Sequence, residues 1–84
     1  MLRTLLVEDE VLAKKELKKI IAHFPEIEII AETDTVLEST QLIKEHNPDL
    51  LLLDIELKDG YSFAILQQFP SPNFQVIFIT AFNQ

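Results

Sequence analysis

Leu50 to Leu53 is an unbroken apolar run closed at each end by an aspartate, Asp49 and Asp54. A strand that water reaches on one face alternates apolar with polar side chains; a run with no polar position belongs to a strand covered on both faces, as in parallel sheets sandwiched between helices. This run is therefore expected at the centre of an α/β sheet. The remaining sequence supplies the other layers, because short apolar runs alternate with longer amphipathic stretches in the manner of βαβ units.

Leu2 to Val7 is the first strand. Behind it Ala13, Leu17, Ile20, Ile21 and Phe24 recur at helical spacing, Lys14, Lys15, Lys18 and Lys19 fall mostly outside that stripe, and Pro25 ends the helix. Glu10 and Lys14 are spaced for an ion pair on its surface. Ile27 to Ala31, broken by Glu28 and followed by Glu32, is a partly polar strand suited to a sheet edge. Thr33 or Asp34 is placed to cap the second helix, with Thr35 and Glu38 as a candidate capping box, Val36, Thr40 and Ile43 as its inward face, and His46, Asn47 and Pro48 as its close. Asp59 and Gly60 form a turn after the central strand, Phe63, Leu66 and Phe69 keep helical spacing, and the segment Pro70 to Asn73 breaks the chain before a fourth strand, Val76 to Ile79. Right-handed crossovers between parallel strands then put helices on both faces of the sheet.

At 84 residues the chain is one domain at most, and its 48% hydrophobic content is enough for a core. Seven Lys and Arg against fourteen Asp and Glu leave a net charge of −7, which repels nucleic-acid backbones and anionic lipid and argues against direct nucleic-acid binding. With no Cys there is no disulfide framework and no thiolate chemistry. The amino end reaches acidic residues too soon for a signal peptide, and no apolar run approaches the roughly 18 residues that span a bilayer, so a cytoplasmic location is the default.

Open parallel sheets bind ligands beyond the carboxyl ends of their strands. Four chemically suggestive residues fall there: Glu8 and Asp9 (with Glu10 adjoining) after the first strand, Asp54 at the end of the third, and Thr80 at the end of the fourth. Two carboxylates about 4 Å apart repel by roughly 4 kcal/mol at an effective dielectric near 20. A raised pKa, a nearby Lys or a divalent cation would relieve this, and hard carboxylate oxygens suit Mg²⁺. Lys58 lies in the adjoining loop; the other lysines sit on helices.

The segments LLVEDE, LLLLDIELKDG and VIFITAF, in that order on three strands, resemble the receiver domain of bacterial two-component response regulators, most closely those that precede a LytTR-type DNA-binding domain. The resemblance spans the whole chain and implies a single, partial receiver domain over residues 1–84. Its fold would be a flavodoxin-like doubly wound parallel sheet in the strand order 2-1-3-4, lacking helix 4, strand 5 and helix 5. It implies that Asp54 takes a phosphoryl group from the phosphohistidine of a sensor histidine kinase, and that Glu8, Asp9, Asp54 and the main-chain carbonyl of Glu56 hold Mg²⁺. Thr80 would meet the phosphoryl oxygens, with the small Ala81 leaving room beside it. The Lys that ends strand 5 in this family has no counterpart in the sequence, and Val76 to Phe82 would form an apolar edge through which two copies pair.

Two rival readings are a phosphohydrolase of the haloacid-dehalogenase type and a receiver-like interaction module that is never phosphorylated. The first calls for a second Asp two residues after the nucleophile, where this chain has Glu56. The second draws on the absent Lys.

Overall fold

A computed structural model describes residues 1–79. The elements are β1 (Leu2–Val7), α1 (Val11–Ile21), β2 (Ile27–Thr33), α2 (Val36–His46), β3 (Leu50–Asp54), β4 (Glu56–Leu57), β5 (Gly60–Tyr61), α3 (Phe63–Gln67) and β6 (Gln75–Ile79). The main sheet runs β2-β1-β3-β6 with all neighbours parallel, which is the expected order 2-1-3-4 once the two-residue strands β4 and β5 are set aside as a separate hairpin. Of the described residues, no helix is long and apolar enough to cross a membrane.

The leucine run explains the layering. Leu51 and Leu53 join Leu5, Val7, Ile43 of α2 and Ile65 of α3 in one core, whereas Leu50 and Leu52 join Leu6 and Ile21 of α1 in the other. Successive strand residues point to opposite faces, so four leucines in a row feed two cores at once. Burying each contributes roughly 2 kcal/mol, which makes β3 the main apolar anchor of the sheet. β2 lies at an edge, as Glu28 and Glu32 led us to expect, and β6 has only β3 as a sheet neighbour among the described residues.

α1 is shorter than its stripe suggests. It ends at Ile21, where Ala22 caps it, and the amides of His23 and Phe24 donate to the carbonyls of Ile20 and Ile21 in a tighter turn. That turn aims the chain into β2 and leaves Ile20 and Phe24 exposed instead of inward. Lys14 and Lys18 both face Glu32 across to β2, so the Glu10–Lys14 pair does not form; the sheet edge offers the lysine a carboxylate that helix spacing alone could not reveal.

Thr35 is the N-cap of α2, its hydroxyl accepting from the Glu38 amide at 3.1 Å. Only half of a capping box is present, because the Glu38 carboxylate accepts from the Thr33 hydroxyl. The helix ends at Asn47, whose left-handed φ of 45° and amide bond to the Ile43 carbonyl close the last turn before Pro48. Arg3 satisfies two carbonyls there, donating to His46 at 2.7 Å and Asn47 at 3.1 Å.

After β3 the chain makes a small antiparallel hairpin, with Glu56 opposite Tyr61 and Leu57 opposite Gly60. Gly60 adopts φ of +140°, a conformation that side-chain-bearing residues enter only with strain, and this is why the turn after Lys58 and Asp59 falls on the glycine.

Candidate functional site

The register of β1 against β3 sets Val7 beside Leu53, so the next residues, Glu8 and Asp54, leave the sheet side by side at its carboxyl end. Asp9 follows on the β1–α1 turn. One carboxylate oxygen from each of Glu8, Asp9 and Asp54 lies within 4.8 Å of the others. Glu8 is only 1% exposed, while Asp9 and Asp54 are half-buried.

Local hydrogen bonds orient the cluster. The Glu8 amide donates to the Thr33 carbonyl at 3.0 Å, tying the end of β1 to β2, and the Glu10 amide donates back to the Glu8 carboxylate at 3.1 Å. The Ile55 amide donates to one oxygen of Asp54 at 2.8 Å. Burial pushes the Glu8 carboxyl up to about 7; the neighbouring Asp54 side chain and the charges of Asp54 and Asp9 act in the same direction, and only the Glu10 amide opposes them. Of the three ways to relieve the crowding, a raised pKa is the one that the surroundings of Glu8 favour.

Lys58 does not supply the missing cation. Its ammonium pairs with Asp34 at 2.8 Å, which lowers the Asp34 pKa and raises its own. No ion pair reaches Glu8, Asp9 or Asp54 among the described residues. A buried carboxylate with two acidic neighbours and no cationic partner is a donor set that fits a hard divalent ion such as Mg²⁺.

Glu56 is exposed and begins β4, two residues past Asp54. Thr80 and Ala81 lie outside the described residues, as does the end of the proposed edge segment. Glu10 touches the cluster only through its amide. His23 and His46 are exposed on other parts of the surface and contribute nothing to the site.

Asp59 is the residue that sequence reasoning passed over. It was legible only as half of an Asp-Gly turn, yet its carboxylate accepts from the amides of Val36 at 2.7 Å and Leu37 at 3.2 Å, at the start of α2. These partners are 22 and 23 residues away, and no local pattern reports such a contact.

Among known proteins, the response regulator receiver domain family matches this chain over residues 4–84, and the chain belongs to that family, the receivers of two-component systems. It is 38% identical over 87 aligned residues to the sensory transduction protein LytT of Bacillus anthracis and 33% identical to LytT of Enterococcus faecalis. These alignments take in 100% and 99% of this chain but 35% of each relative, so the chain spans about a third of their length. Among solved structures, the MaeR response regulator bound to beryllium trifluoride superposes with a TM-score of 0.86 at 28% identity, covering 100% of this chain and 70% of that one.

Proposed function

We propose that Asp54 is the phosphoacceptor of this receiver, that a sensor histidine kinase is the donor, and that Mg²⁺ is held by Glu8, Asp9, Asp54 and the main-chain carbonyl of Glu56. The observation that carries this reading is the convergence of three carboxylates, one of them buried, with no ion pair to balance them among the described residues. Asp54 is placed at the rim of the crevice by a strand packed on both faces, which fixes its direction before the donor arrives. One of its oxygens accepts from the Ile55 amide, leaving the other for chemistry. That oxygen attacks phosphorus, the bond from phosphorus to the kinase histidine nitrogen breaks with its electron pair going to the ring, and an acyl phosphate forms on Asp54. No general base is needed, since an ionised carboxylate carries no proton to remove. When bound, Mg²⁺ would supply charge neutralisation for the incoming phosphoryl oxygens. Thr80 is proposed to donate its hydroxyl to one of those oxygens.

The reading extends to a signalling role without substrate turnover, in the cytoplasm, for residues 1–84 as part of one receiver domain. The similarity to the LytT proteins supports a LytTR-type DNA-binding output domain as the partner controlled by phosphorylation. Among the described residues β6 pairs only with β3 and exposes Ile77 and Phe78, which supports pairing of two copies of this chain along β6; a monomeric mass by light scattering at micromolar concentration would refute the pairing.

The phosphorylation reading is tested by adding beryllofluoride and Mg²⁺ to the purified chain while recording chemical shifts. Saturable binding that disappears in Asp54→Ala is the expected result. Absence of binding in the unaltered chain would leave only an interaction module.

A further inference from the structure

The hairpin formed by β4 and β5 is too small to hold itself in place. Its ladder is two residue pairs long, and isolated two-stranded hairpins are marginal in water even when longer. At its base the Ser62 amide donates to the Ile55 carbonyl at 2.8 Å, and further out Leu57, 5% exposed, is sunk into the core that includes Ile65. The tip is fixed elsewhere. Lys58 pairs with Asp34 at 2.8 Å, and Asp59 spreads its two oxygens over the Val36 and Leu37 amides, so consecutive tip residues both grip the β2–α2 connection.

α2 does not need Asp59 for its own cap. Thr35 already holds the Glu38 amide; Asp59 takes two other amides that the first turn of any helix leaves unpartnered. A negative group is favoured at that end by the helix dipole, and the Val36 amide is the chief reason the Asp59 carboxyl sits below its ordinary pKa. Thr35 and Asp59 therefore serve different amides of the same helix end, and only the Asp59 contacts tie the hairpin to it.

We propose that Asp59 is a positioning residue for the acidic site: by pinning the hairpin tip to the amino end of α2 it fixes the opposite end of the hairpin, where Glu56 follows Asp54. The proposal rests on the reading of Glu8, Asp9, Asp54 and Glu56 as a metal site. Metal ligands held by a loose segment bind weakly because the ion must order them, and partners behind the ligands restore that affinity. Coupling of this kind is reciprocal, so an ion at the crevice must also steady the Asp59 contact at α2.

The test is Mg²⁺ affinity, by titration calorimetry of the whole chain, for the unaltered protein, Asp59→Ala, Asp59→Asn and Thr35→Ala. Thr35→Ala removes a cap from the same helix end without releasing the hairpin, and so matches the damage to α2 alone. Asp59→Ala should bind Mg²⁺ roughly tenfold more weakly, the lower end of the loss when a partner lying behind a ligand is removed, whereas Thr35→Ala should stay within about twofold of the unaltered chain. Asp59→Asn, which keeps one acceptor, should recover at least part of the loss, and Mg²⁺ should slow hydrogen exchange at the Val36 and Leu37 amides of the unaltered chain. Equal affinities for Asp59→Ala and the unaltered protein, or an equal loss in Thr35→Ala, overturn the tether while leaving the metal site standing. Failure of the unaltered chain to bind millimolar Mg²⁺ overturns both.

Discussion

Glu8 and Asp54 turn their carboxyl groups toward one another from the ends of adjacent parallel strands, and Glu8 is raised to about 7 as a result of its burial and of that neighbour. Without metal the folded chain therefore keeps a proton on Glu8 through a range in which the unfolded chain, with its ordinary value of 4.5, has lost it. The state that binds more protons is favoured by acid, so this group makes stability fall as pH rises from about 4.5 to about 7, and adds no slope outside that window. The span is on the order of 3 kcal/mol at most, at about 1.4 kcal/mol per pKa unit. Urea unfolding in the presence of a chelator, with Glu8→Gln as the comparison, should isolate it: the slope should vanish in the variant. Mg²⁺ affinity should rise with pH across the same window, because the ion displaces that proton.

Asp54→Asn should abolish labelling by a small phosphoryl donor such as phosphoramidate, and the same change should lower the Glu8 pKa by removing the charge beside it. At pH 8 without metal, the variant is expected to be more stable than the unaltered chain by about 1 kcal/mol. Loss of labelling accompanied by lower stability would mean that Asp54 is a structural group.

The leucine run, the edge position of β2 and the meeting of Glu8 with Asp54 were legible because each depends on chain order and strand topology. Glu28 marks an edge wherever the strand is placed, and acids that end neighbouring parallel strands must converge. Thr35 as N-cap was visible for the same reason: its partner Glu38 is three residues away. What escaped was set by tertiary proximity. Lys14 chose Glu32 over Glu10, Glu38 chose Thr33 over the Thr35 amide, and Asp59 found the start of α2 across 23 residues of sequence. The early stop of α1 at Ile21 likewise follows from the path into β2, which the apolar stripe through Phe24 does not encode.

Leu51 is fully buried and Leu37 is 68% exposed, so the two leucines should respond differently to truncation. Leu51→Ala is expected to cost roughly 3 kcal/mol through lost burial and the void left behind, and Leu37→Ala less than about 0.5 kcal/mol. Denaturant midpoints compare them directly; similar values would contradict the placement of β3 between two cores.

Asn47 holds the left-handed position that ends α2. Asn47→Ala should destabilise the chain by about 1 kcal/mol, since the short polar side chain that eases asparagine into the left-handed region is lost while the Cβ clash remains, whereas Asn47→Gly should be neutral to within about 0.5 kcal/mol. A thermal melt showing the glycine variant to be the worse of the two would place the helix end elsewhere.

Because alternate leucines of β3 plug opposite layers, the rod bearing Asp54 cannot rock toward either side without tearing a hole behind it. Any message that starts at this aspartate must leave sideways, through the turns that surround it, while the strand itself stays still as the anvil.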